Sequence, residues 1–71
     1  MSHNRKLVTD SEFQEAMERK FTIRVFHHDH VVDSGCVIIR FDDSTIVLQS
    51  GVSELSYRSR DDCEFFGMKR G

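Results

Sequence analysis

From residue 21 to residue 68 the sequence runs in short stretches of alternating apolar and polar side chains, with only two to five residues between one stretch and the next. Alternation with a period of two is the pattern of a half-buried strand. Connections this short cannot carry the chain back to start a parallel strand, which needs about a dozen residues or more. The segment is therefore restricted to an antiparallel meander.

The first run is Phe21-Thr22-Ile23-Arg24-Val25-Phe26, and His27-His28-Asp29-His30 is a polar break suited to a hairpin turn. Residues 31–41 form a long β-branched run interrupted by Gly35. A glycine inside a long strand marks a bulge or sharp bend. Asp42-Asp43-Ser44 turns into residues 45–49, Ser50-Gly51-Val52-Ser53 turns into residues 54–59, and Arg60-Asp61-Asp62 turns into residues 63–68. Five bent antiparallel strands are expected to close into a small SH3-like or Sm-like barrel over about residues 21–68. Its core is expected to be Phe21, Ile23, Val25, Val37, Ile39, Phe41, Ile46, Leu48, Leu55 and Tyr57. A one-residue bulge after Gly35 would reverse the faces that follow it.

Ahead of the strands, residues 9–19 read as a helix. Thr9 is the cap, Glu12 is its partner three residues later, and Val8 and Phe13 occupy the two staple positions. Asp10 and Glu12 at the start and Arg19 and Lys20 at the end suit the helix dipole. Phe13, Ala16 and Met17 make one narrow apolar stripe, so a helix this short must dock to be stable. Residues 1–8 read as a flexible arm, and residues 9–71 as a single domain.

A chain of 71 residues buries only a modest core. Cys36 and Cys63 are too few for a disulfide scaffold and read as reduced thiols of a cytoplasmic protein. No secretory leader is read at the start, and the longest near-apolar run, residues 36–39, falls far short of the roughly 20 residues that span a membrane. Ten Lys and Arg against twelve Asp and Glu give a net charge of −2, which is not the footprint of a strongly basic DNA-binding domain.

A helix followed by five strands, with a bend glycine in the second, resembles the plan of the Sm-like superfamily. Gly35-Cys36-Val37-Ile38-Ile39-Arg40-Phe41-Asp42 resembles the first Sm motif, and residues 41–50 are similar to the matching stretch of the Hfq family of bacterial RNA chaperones. Leu55-Ser56-Tyr57-Arg58 stands where Hfq proteins carry their second motif. Thr22-Ile23-Arg24-Val25-Phe26 followed by a polar turn resembles the YolD-like proteins, small bacterial relatives. The resemblance spans about two-thirds of the chain and implies a cytoplasmic oligomer in which the fourth strand of one subunit pairs with the fifth of the next. Arg58-Ser59 replaces the Lys-His pair that Hfq places at its RNA pore.

Several constellations carry candidate chemistry. His28 and His30, with Asp29 and Asp33 nearby, are weak metal-ligand candidates in a turn expected to face solvent, and no fourth ligand or other cofactor is read. Cys36 lies among apolar residues and Cys63 between Asp62 and Glu64, environments that oppose a reactive thiolate. Asp42-Asp43 and Asp61-Asp62 fall in turns, where aspartate bonds its own backbone. The chain therefore reads as non-enzymatic, with no small-molecule substrate. For RNA or single-stranded DNA the candidates are Arg24, Arg40, Tyr57, Arg58 and Arg60, with Phe26 and Phe66 as stacking surfaces and Lys69-Arg70 extending the basic end. For self-association or a protein partner at strand edges the candidates are Phe65, Phe66 and Met68, because adjacent aromatics on a strand point to opposite faces.

Overall fold

In the computed structural model, which describes residues 4–68, the helix forms where its punctuation stands. Helix α1 spans Asp10–Glu18, and Thr9 caps it in an extended conformation. The Glu12 N–H donates to Thr9 Oγ1 at 3.2 Å, while Glu12 Oε1 accepts from the N–H groups of Thr9 at 3.0 Å and Val8 at 2.8 Å. The far end closes with crossed bonds, Phe21 N–H to the Ala16 carbonyl at 3.0 Å and Lys20 N–H to the Met17 carbonyl at 3.3 Å. Lys20 takes the left-handed conformation, φ 54°, that such a stop requires.

Thr9→Ala is expected to cost about 1 kcal/mol in chemical denaturation. The backbone donors of Thr9 and then Val8 hold the Glu12 carboxyl below its ordinary value of 4.5. A depressed carboxyl stabilises the fold at pH values above the ordinary one, and the benefit is lost as pH falls through the lowered value. Glu12→Gln should therefore flatten the acid limb of the stability profile below about pH 4.5; an acid limb identical to that of the parent protein would contradict this role.

Six strands form one antiparallel sheet: β1 (Asn4–Leu7), β2 (Thr22–His27), β3 (His30–Phe41), β4 (Thr45–Ser50), β5 (Glu54–Ser59) and β6 (Glu64–Met68). Their order across the sheet is β1-β6-β2-β3-β4-β5. This corrects the sequence reading in two respects. Residues 4–7 of the expected arm are a sixth strand ahead of the helix, and the end strands β1 and β5 do not pair, so the sheet stays open instead of closing into a barrel. Strand β1 forms because it covers the edge of β6 and buries Leu7, which is 4% exposed.

The hairpin between β2 and β3 turns on His28 and Asp29, both at positive φ (53° and 64°), as a two-residue turn matched to strand twist requires. Two register shifts separate β2 from β3, where extra β3 residues lie between Asp33 and Cys36 and between Val31 and Asp33. Gly35, at φ 69°, sits in the first of these shifts and fulfils the expected bend. A further shift separates Ile38 from Arg40 against β4.

These shifts set the faces. Leu7, Phe13, Ala16, Ile23, Val25, Cys36, Ile38, Ile46, Leu48 and Phe65 form the core, with Met17, Phe21, Val32, Phe41 and Cys63 packed around it. Val37 is half-buried, and Ile39, Leu55 and Tyr57 are exposed, contrary to the sequence reading. The register assigns Cys36 and Ile38 inward, and it pairs Leu55 with Gln49 and Tyr57 with Val47 on the opposite face of the sheet from Ile46 and Leu48. Helix α1 is anchored by Phe13, whose ring lies 5.8 Å from that of Phe41 and 5.6 Å from that of Phe65. Val8, expected to staple the helix, is 60% exposed.

Candidate functional site

The basic residues singled out in the sequence are not gathered into one track. Arg58 and Arg60 do share a face of β5 and its extension, as alternation requires, but both are committed within the fold. Arg58 Nε donates to Asp33 Oδ2 at 2.7 Å, and that bond to the carboxylate raises the guanidinium's already high pKa. Arg60 Nη1 donates to Asp10 Oδ1 and to the Asp42 carbonyl, each at 2.8 Å, and Nη2 donates to the Val8 carbonyl at 3.2 Å. Its guanidinium carbon stands 4.6 Å from the centre of the Phe13 ring. Arg60 is thus the strap that ties the chain ahead of the helix, the helix start and the β3–β4 turn to the end of β5.

Arg24 and Arg40 are exposed and make no ion pair among the described residues. They lie on different parts of the sheet. Arg40 is opposite Val47, and Val47 opposite Tyr57, so Arg40 and Tyr57 belong to one cross-strand row. Arg24 is opposite Phe66, and Phe66 opposite Lys6, which makes a second row. Lys6 was not anticipated as a site residue; only its pairing with β6 places it beside an aromatic, and its Nζ is already bonded to Glu64 at 2.9 Å. Lys69 and Arg70 lie outside the described residues.

Among the interface candidates, Phe65 is 1% exposed and belongs wholly to the core, so it has no surface to offer a partner. Phe66 is half-buried and stands edge-on to Phe26 with ring centres 5.4 Å apart. Met68, also half-buried, pairs with both Asn4 and Thr22. Strand β6 therefore has β1 on one side and β2 on the other, and the free fifth-strand edge expected from the sequence is occupied.

The open edges are β1 and β5. Arg60 N–H donates to the Ser44 carbonyl at 2.8 Å. Backbone groups alternate sides along a strand, so residues 54, 56 and 58 also turn their N–H and C=O groups toward β4. Leu55 and Tyr57 then turn theirs outward, where no strand of the described residues meets them. The same two residues are exposed in their side chains, 49% and 63%. Strand β1, by contrast, is four residues long and carries the cations Arg5 and Lys6, features that discourage edge pairing.

The cysteines are free. Cys36 is buried, its Sγ lies 3.4 Å from the Ile23 carbonyl, and burial pushes its pKa up, with Asp33 adding to the effect. Burial also raises the Cys63 thiol. Neither environment favours a thiolate at neutral pH. The Asp42 carboxyl is held low by the N–H groups of Ser44 and Thr45, as a turn-forming aspartate should be. His28 and His30 are exposed at the β2–β3 hairpin, and among the described residues no three His, Cys, Asp or Glu side chains come together as a metal site. No helix among the described residues is long and apolar enough to cross a membrane.

No protein-family model, no curated protein and no solved structure matches this chain.

Proposed function

We propose that this protein is a non-enzymatic binding module of the Sm-like kind, acting through self-association or a protein partner at a strand edge. The observation that carries this reading is the open edge of β5, where Leu55 and Tyr57 present outward backbone groups and exposed apolar side chains together. An unguarded edge is a template for another strand, and main-chain bonds with flanking apolar contacts are how such edges bind. The free cysteines fit a reducing, cytoplasmic setting. The helix and the five strands after it follow the order on which the Sm-like resemblance rests.

A second reading, binding of RNA or another single strand, is favoured by the row of Arg40, Val47 and Tyr57, which sets an exposed cation near an exposed aromatic on one sheet face. The commitment of Arg58 and Arg60 to contacts within the fold makes it the weaker of the two.

Light scattering over a concentration range, combined with amide hydrogen exchange, separates the readings. The first expects the mass to rise with concentration and the Leu55 and Tyr57 amides to become protected as it rises. A protein monomeric at every concentration that binds oligonucleotides at low salt, and loses that binding in Arg40→Glu, would replace it with the second.

A further inference from the structure

We propose that the occupant of the β5 edge is the β5 strand of a second copy of this chain, paired antiparallel about a two-fold axis through Ser56. This rests on the self-association reading above and specifies its geometry. The family-like alternative, β5 of one copy on β6 of the next, is closed because β1 already fills the outer edge of β6. An isologous pair needs only the surface that is open, and it closes at two copies instead of running on as a fibre.

The register follows from the backbone. Leu55 and Tyr57 carry the outward groups, so they must be the hydrogen-bonded partners across the new ladder. Setting Leu55 opposite Tyr57 of the second copy achieves this, and the symmetry repeats it, so that all four outward groups on each strand are used. The same register places Glu54 opposite Arg58 of the second copy, whose Nε stays bonded to Asp33 at 2.7 Å while its positive charge faces Glu54 across the strands. It also sets the exposed side chains of Leu55 and Tyr57 against one another on the outer face.

The neighbouring register, with Tyr57 opposite itself, loses the backbone match. It sets Leu55 opposite Ser59, whose carbonyl already accepts from Cys63 N–H at 3.1 Å. A six-residue ladder buries less than the roughly 1,600 Å² of a standard interface, so the dimer should be weak and concentration-dependent.

The register is tested by Ser56→Cys in a Cys63→Ser background. Ser56 then faces its own copy across a non-hydrogen-bonded pair, where Cα atoms lie about 4.5 Å apart, within disulfide range. Mild oxidation should yield a covalent dimer from Ser56→Cys and none above background from Tyr57→Cys. Tyr57→Pro removes an outward N–H without touching the β4 ladder and should weaken association about tenfold or more, as should Glu54→Arg, which sets like charges across from each other. If Tyr57→Pro fails to fold, the cross-link alone decides. An oligomer indifferent to Tyr57→Pro and not cross-linked at Ser56→Cys would overturn the two-fold pair while leaving self-association standing. A chain monomeric up to about millimolar concentration would overturn both.

Discussion

Phe65→Ala is expected to remove a quarter or more of the protein's stability, whereas Phe66→Ala, one residue away, should remove far less. Phe65 is 1% exposed and stands edge-on to Phe13, which also reaches Phe41, so these three rings join β6, α1 and the end of β3. Removing a buried phenylalanine ring costs about 3–5 kcal/mol in lost transfer energy and cavity formation. A domain of 71 residues has a total stability of only about 4–11 kcal/mol, so the loss takes a quarter or more of it. The melting midpoint should fall by about 15 °C or more. Phe66 is half-buried and loses mainly its edge-on contact with Phe26, worth about 0.5–1.5 kcal/mol beyond its area. Thermal and urea unfolding of the two variants checks this directly. Equal losses would mean that the two faces of β6 are not distinguished as described.

That contrast was legible in the sequence, since adjacent aromatics on a strand must face opposite ways; which of them is inside required the register. The helix was legible for a different reason. Its cap, its partner three residues on and its apolar stripe are all local signals, and the local geometry follows them. The turns at residues 28–29 and 42–44 were legible through polar residues that tolerate positive φ or bond their own backbone. Strand β1 carried no such signal. It has four residues, two of them cations, and it is Leu7 that turns into the core; what makes it a strand is β6, some sixty residues away in sequence. The reversed faces of β3 have the same origin, because a single extra residue inverts every side chain beyond it, and periodicity alone cannot place that residue. The open β5 edge was hidden in consequence, since Leu55 and Tyr57 read as core residues until the sheet's order left them outside it.

Arg60 shows the converse error, an apparently available cation that the fold has already spent. Arg60→Ala is expected to cost about 2–3 kcal/mol, from charge-assisted bonds to two backbone carbonyls and the face of Phe13, less the rehydration of those carbonyls. Arg60→Lys should recover under half of this, because a single ammonium cannot reproduce a planar fork that serves Asp10, Asp42 and Val8 at once. The Asp10 contact is the lesser part. Asp10 is 68% exposed, and an ion pair to such a partner contributes under about 1 kcal/mol and is screened by salt. Urea unfolding at low and high ionic strength therefore separates the parts: the loss in Arg60→Ala should persist in about 1 M salt, whereas the smaller loss in Asp10→Asn should nearly vanish there. If the Arg60→Ala loss also vanished in salt, the arginine would be a surface charge only, and its side chain would again be free for a polyanion. If it persists, Arg60 holds the start of α1 against the end of β5, and any nucleic-acid contact must come from Arg24 and Arg40 without it.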